Sequence, residues 1–251
     1  MIKYIFGLLV LFITFLFLSG CRGGGSSGGV EVSVKPSLLI PLYSEPENWG
    51  TLVEQKRANS SLKMVAIVNQ ANGDFTQIAA NYEDGIDILA QNNIEPVGYV
   101  YSSYGKRSIG AIKENIDMWC NYGIEGIFID EVDDNGTFAY YKELSDYIRS
   151  KGLKVIMNPG SDIDGKFVAL ADIMVVVENY YNKLLTQRSI SYSGAKAALI
   201  HASPSSDEVI GEALAFAKKH RCAYVYVTDD KMPNPWDAYP SYFDRLLVQM
   251  R

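Results

Sequence analysis

Histidine is nearly absent from this chain. His201 and His220 are the only two in 251 residues, and no histidine cluster or metal-ligand spacing accompanies them. That argues against a zinc hydrolase or deacetylase, and the expected complement of metals and cofactors is none. No serine stands in a nucleophile-elbow context. No glycine-rich phosphate loop follows the first strand-like run, which weakens a nucleotide-binding sheet. Basic residues are outnumbered: 23 Lys and Arg face 29 Asp and Glu, for a net charge of −6. An acidic surface disfavours nucleic acid as a partner and attracts polycations. Cysteine is scarce too, with Cys21 near the start and only Cys120 and Cys222 beyond it.

What is present begins with a leader. Lys3 precedes an apolar run from Ile5 to Leu18 that is short for a membrane span and closes in small residues. Leu18-Ser19-Gly20-Cys21 resembles the lipobox of bacterial lipoproteins, which implies cleavage before Cys21 and lipidation of that residue. Residues 22–29, RGGGSSGG, have the composition of a flexible tether. The expected organisation is a signal peptide over residues 1–20, a lipidated tether over 21–33, and one domain over 34–251. The domain is expected outside the cytoplasm, held to a bacterial membrane through Cys21, and monomeric. Losing Lys3 with the leader takes the mature charge to −7. Two remaining cysteines in such a compartment invite a disulfide, but the fold below places them on opposite sides, so free thiols are expected.

Short runs rich in branched and aromatic residues then recur: Leu38–Tyr43, Lys63–Asn69, Glu95–Tyr101, Ile124–Asp130, Leu153–Asn158, Asp172–Glu178, Lys196–His201 and Cys222–Thr228. Helical patterns fit after each: Trp49–Ala58, Ile78–Asn92, Ile109–Tyr122, Thr137–Lys151, Ile163–Leu170, Tyr181–Ile190, Ser206–His220 and Ser241–Met250. Eight strands alternating with helices predict an α/β protein of the (β/α)8 TIM-barrel class, a closed parallel sheet with outer helices.

In such a barrel the chemistry gathers where strands end. The tips read Tyr43, Asn69, Tyr101, Asp130, Asn158, Glu178, His201 and Thr228. GIFIDE and MVVVE each drive an apolar strand into a carboxylate, and buried charge without a partner is costly enough to suggest use. Counting by twos, Met174, Val176 and Glu178 share a face, as do Phe128 and Asp130. Strands four and six lie about 10 Å apart, and side chains converging on the mouth shorten that into the ~5–9.5 Å range of glycosidase carboxylate pairs. Asp130 and Glu178 are therefore the leading catalytic pair. Glu131 has the opposite parity and points away unless the chain turns there; its expected role is to position or tune its neighbours. Asp133 and Asp134 extend the acidic loop without the spacing of a calcium site. Tyrosine and tryptophan cluster at the tips, among them Tyr99, Tyr104, Tyr180 and Trp236, a lining suited to sugar rings.

Seven segments together resemble the spherulin-4-like family of barrel glycoside hydrolases, relatives of enzymes that cut galactosamine-containing exopolysaccharides. They are PLYSEPENW (Pro41–Trp49), VNQANGD (Val68–Asp74), VGYVYSSYGKR (Val97–Arg107), GIFIDE (Gly126–Glu131), MNPG (Met157–Gly160), VVVENY (Val175–Tyr180) and YVTDDKMPNPWDAYPSYF (Tyr226–Phe243). Gln70 and Asp74 depart from the family, where prolines are expected. The resemblance implies a hydrolase of an amino-sugar polymer with Asp130, Glu131 and Glu178 in its site. Tyr43, Asn69, Tyr99, Tyr101, Tyr104, Arg107, Asn158, Tyr180, His201, Asp229 and Trp236 are the expected sugar-binding residues. The alternative from another class is a surface lipoprotein that binds polysaccharide without cutting it.

Overall fold

The computed structural model describes residues 35–160, 163–186 and 192–251. Cys21, the leader and the tether lie outside the described residues. Eight parallel strands close into a barrel in sequence order: β1 (Ser37–Leu42), β2 (Met64–Val68), β3 (Ile94–Tyr101), β4 (Gly126–Asp130), β5 (Lys154–Met157), β6 (Ile173–Tyr180), β7 (Ala195–His201) and β8 (Cys222–Val227). The helices packed outside are α1 (Gly50–Ala58), α2 (Ala80–Gln91), α3 (Ile109–Trp119), α4 (Phe138–Ser150), α5 (Asp207–Lys219) and α6 (Phe243–Gln249). This is the expected (β/α)8 barrel. The apolar strand runs bury almost completely, as a sheet covered by helices on one face and packed on itself on the other requires.

Two expected helices are shorter than predicted. Between β5 and β6 the chain makes only a 3-10 turn, Gly165–Leu170, because Pro159, Gly160 and Gly165 leave no uninterrupted helical stretch. After β6 a second 3-10 segment covers Tyr181–Thr186, and the remainder of the expected Tyr181–Ile190 helix lies outside the described residues. Capping follows the sequence more closely. Ser206 accepts a hydrogen bond from Val209 N at the start of α5, and Gly123 and Gly152 take left-handed backbone after α3 and α4. Cys120 is half-buried beyond α3, Cys222 is buried at the start of β8, and both are free thiols.

Residues paired across a parallel ladder share a face. The row Tyr99, Phe128, Ile156, Ile173 faces the barrel interior, whereas Val100, Ile129, Met157 and Met174 face the helices. Strict alternation along β6 would then send Glu178 outward with Met174. It does not, because β6 carries a bulge: Val175 pairs with Ala197 and Val177 with Ala198, so one extra residue is inserted. The bulge flips the parity, and Glu178 pairs with Leu199 on the interior face. The expected shared face of Met174, Val176 and Glu178 is thus wrong, while the inward direction of Glu178 is right for a different reason.

Helix α3 packs on β3 through a close approach. Trp119 donates from Nε1 to Tyr99 O at 3.0 Å and lies over Gly98, where a Cβ would sit 2.6 Å from the ring. Gly98→Ala is therefore expected to lower stability by ~1–3 kcal/mol through overpacking, read as a shift of the urea midpoint at unchanged m-value. An unaltered midpoint would mean that α3 moves freely.

Candidate active site

Asp130 ends β4, and Glu178 lies on β6 just past the bulge. Between them, at the tip of β5, stands Asn158. Its amide Nδ2 donates to Asp130 Oδ1 at 2.8 Å and to Glu178 Oε2 at 2.6 Å, which holds these oxygens no more than ~5.4 Å apart. Asn158 Oδ1 accepts from Gly160 N at 2.9 Å, so the turn after β5 orients the amide with both hydrogens toward the carboxylates. Asp130 also accepts from Tyr99 OH at 2.9 Å and from Glu131 N at 2.9 Å. Glu178 also accepts from Trp236 Nε1 at 3.3 Å.

These contacts compete with desolvation. Burial pushes the Asp130 carboxyl above its usual range, against the lowering effect of its three hydrogen bonds. Glu178 is also raised, first by burial and then by the charge on Asp130, with Asn158 and Trp236 opposing. The charge on Asp130 helps Glu178 keep a proton. Glu131 is raised by burial and by Asp130, while an N–H of Ser103 opposes. Its left-handed backbone, φ +56°, supplies the turn that opposite parity required, and its charge acts on Tyr99 and Tyr104 at the mouth. Burial above all, with the nearby carboxylates, raises Tyr43 and Tyr99, which stay neutral donors.

The remaining expected residues divide into two groups. Tyr43 meets the Tyr99 ring edge-on at 5.5 Å, and His201 lies between Tyr180, 4.3 Å away, and Trp236, 5.7 Å away. A cleft of about 390 Å³ is lined by Tyr43, Glu178, His201 and Trp236, together with Asn72 and Met232 to Pro235. Asn69 Oδ1 and His201 Nδ1 are buried without a partner among the described residues, and burial lowers the imidazole, so His201 is neutral near pH 7. Tyr104 and Tyr180 are exposed at the rim. Tyr101 pairs with Asp130 across the β3–β4 ladder, whereas Arg107 and Asp229 are engaged elsewhere. Arg107 stacks on Tyr101 at 4.2 Å and donates to Asn115 and to Tyr101 O, facing a cleft beside α3. Asp229 is occupied by the backbone N–H and hydroxyl of Ser241. Asn72 and Met232 to Pro235 lie within the family-like segments Val68–Asp74 and Tyr226–Phe243 but are not among the expected site residues; the MPNPW stretch ending in the buried Trp236 is the signal for them.

The Spherulation-specific family 4 sequence model matches residues 37–250. The chain belongs to that family. Spherulin-4 of Physarum polycephalum is 30% identical over 149 residues, 57% of this chain and 44% of that protein, so the match spans less than half of the relative. Among solved structures, Sph3 of Aspergillus clavatus in complex with GalNAc superposes with a TM-score of 0.74 at 22% identity, covering 86% of this chain and 97% of that one. The tryptophan synthase α-subunit of Pyrococcus furiosus reaches 0.50 at 11% identity, covering 85% and 97%. Both share the barrel fold with this Spherulation-specific family 4 chain.

The raised carboxyls carry a stability signature. Folded Glu178 keeps its proton to higher pH than the unfolded value of 4.5, so over that interval the native state binds more protons and stability falls as pH rises. Removing the titration by Glu178→Gln should therefore widen the stability difference, variant minus wild type, by on the order of 1 kcal/mol between pH 4.5 and pH 8. Urea unfolding across that range checks it; a difference that shrinks with pH would contradict the assignment.

Proposed function

We propose that this chain is a glycoside hydrolase that cleaves an amino-sugar exopolysaccharide by double displacement. The observation that carries the reading is the Asn158 amide shared by Asp130 and Glu178. Carboxyl groups ~5–5.5 Å apart suit a nucleophile and an acid acting on one anomeric carbon, whereas a separation of ~6.5–9.5 Å leaves room for an interposed water. Asp130 attacks the anomeric carbon, and Glu178, whose proton the Asp130 charge helps to retain, gives it to the departing glycosidic oxygen. Glu178 then takes a proton from water as that water displaces Asp130, which regenerates both groups. Glu131 positions and tunes Asp130 through its backbone N–H, which lowers the Asp130 carboxyl, and the Asp130 charge in turn raises Glu131.

Tyr43, Tyr99, Tyr104, Tyr180 and Trp236 supply ring faces and neutral donors for sugar, while Asn69 and His201 bring polar atoms that the protein leaves unbonded. The GalNAc carried by the Aspergillus clavatus structure supports a galactosamine-type polymer. An acidic mouth favours one with free amines. The leader supports a domain tethered through Cys21 to a bacterial envelope, outside the cytoplasm.

Incubation with partly deacetylated N-acetylgalactosamine polymer is expected to release new reducing ends. Asp130→Asn and Glu178→Gln should each reduce the rate by ~10²–10⁴-fold or more. Polymer binding without release by the wild type would overturn the hydrolase reading and favour a binding lipoprotein, whereas undiminished release by either variant would overturn the roles given to Asp130 and Glu178.

A further inference from the structure

Charge is unevenly distributed along the barrel axis. The loops that follow the strands at the mouth carry Glu45, Glu47, Asp133, Asp134, Asp229 and Asp230 in addition to the site carboxylates. The opposite face, where the strands begin, is basic over the sector spanning β8, β1 and β2. Lys35, Arg57, Lys218, Lys219, Arg221 and Arg251 are all exposed there, and none joins an ion pair among the described residues. Lys63 adds a seventh cation, held by Glu95 at 3.2 Å.

The sector is continuous. Arg251 donates to Ala58 O and Asn59 Oδ1 at the end of α1, Ser37 pairs with Tyr224, and Lys63 lies over the Tyr224 ring at 5.7 Å. A cleft of about 260 Å³ opens in it, lined by Lys35, Ser37, Lys63 and Arg251 among others. Complementing helix C-termini accounts for Arg57, Lys218 and Lys219 taken singly. It does not account for Lys35, Arg221 or Arg251, which lie outside helices.

The chain enters the barrel at this same sector. Lys35 and Pro36 lead into β1 at Ser37, only 16 residues after Cys21. Sixteen residues reach at most ~53–58 Å, so a lipid on Cys21 keeps the side of the barrel where the chain enters within reach of lipid headgroups.

We infer that the strand-start face of the barrel, centred on Lys35, Lys63, Arg221 and Arg251, docks on an anionic lipid headgroup surface. Docking orients the active-site mouth outward. The inference rests on the lipid tether and not on the hydrolase chemistry, so either can fail alone. Clustered cations beside an anchor are drawn to anionic lipid, and salt weakens the attraction.

The test reconstitutes the full chain, extracted from membranes of expressing cells, into vesicles of phosphatidylcholine alone or with about a third phosphatidylglycerol. Flotation identifies the bound fraction, and amine acetylation read by mass spectrometry maps exposed lysines. On anionic vesicles, labelling of Lys35, Lys63, Lys218 and Lys219 should fall several-fold and return in 0.5 M salt. Lys106 and Lys231 at the mouth should label equally on both vesicle types. A variant with Lys218→Glu, Lys219→Glu and Arg221→Glu, checked for native circular dichroism, should float but lose protection at Lys35 and Lys63. Equal labelling of the basic sector on both vesicle types, protection of the mouth lysines, or failure of the chain to float would each overturn the proposal.

Discussion

One side-chain amide sets the terms for the site. Asn158 divides its two N–H groups between Asp130 and Glu178, and this sharing keeps two recessed carboxylates at bonding distance from a common atom. Bringing like charges together in a dehydrated pocket is costly. Among the described residues the structure meets that cost with neutral donors alone: Asn158, Tyr99, Trp236 and the N–H of Glu131. No cation stands among them, so both carboxyls remain above their usual range. A lysine or arginine in that position would hold both carboxylates ionised and leave no acid. Donors that position without neutralising are what a pair with unequal protonation requires.

The barrel positions these groups through backbone features more than through side chains. The bulge between Val175 and Val177 turns Glu178 inward, and the left-handed residue at Glu131 brings that carboxylate to the mouth instead of the helix layer. Each is a local departure from regular strand geometry at a place where regularity would misdirect a functional group.

Much of this was legible beforehand. Eight branched-residue runs at regular spacing, each closing in a polar tip, identified the barrel and placed Asp130, Asn158 and Glu178 at its mouth. Less legible were features that break periodicity. Apolar residues fill Met174 to Val177 without a gap, so nothing in MVVVE marks an inserted residue, and counting by twos gave a right direction from a wrong face. Arg107 and Asp229 illustrate another limit. Both sit beside strand tips, yet stacking on Tyr101 and bonding to Ser241 occupy them, and such pairings depend on loop paths that residue types do not encode. The second βα loop, where Gln70 and Asp74 replace expected prolines, forms a turn through left-handed Ala71 and Asn72 and brings Asn72 to the cleft.

The central claim is that the shared amide fixes a separation suited to a covalent intermediate. The most direct measurement is the anomeric configuration of the first product, followed by proton NMR before mutarotation. Double displacement predicts that the newly formed reducing end has the configuration of the bond that was cut. An initial product of opposite configuration would contradict the account, because inversion places the two carboxyl groups ~6.5–9.5 Å apart around a water, and the shared amide, which keeps the bonded oxygens within ~5.4 Å, is taken as the mark of a closer pair.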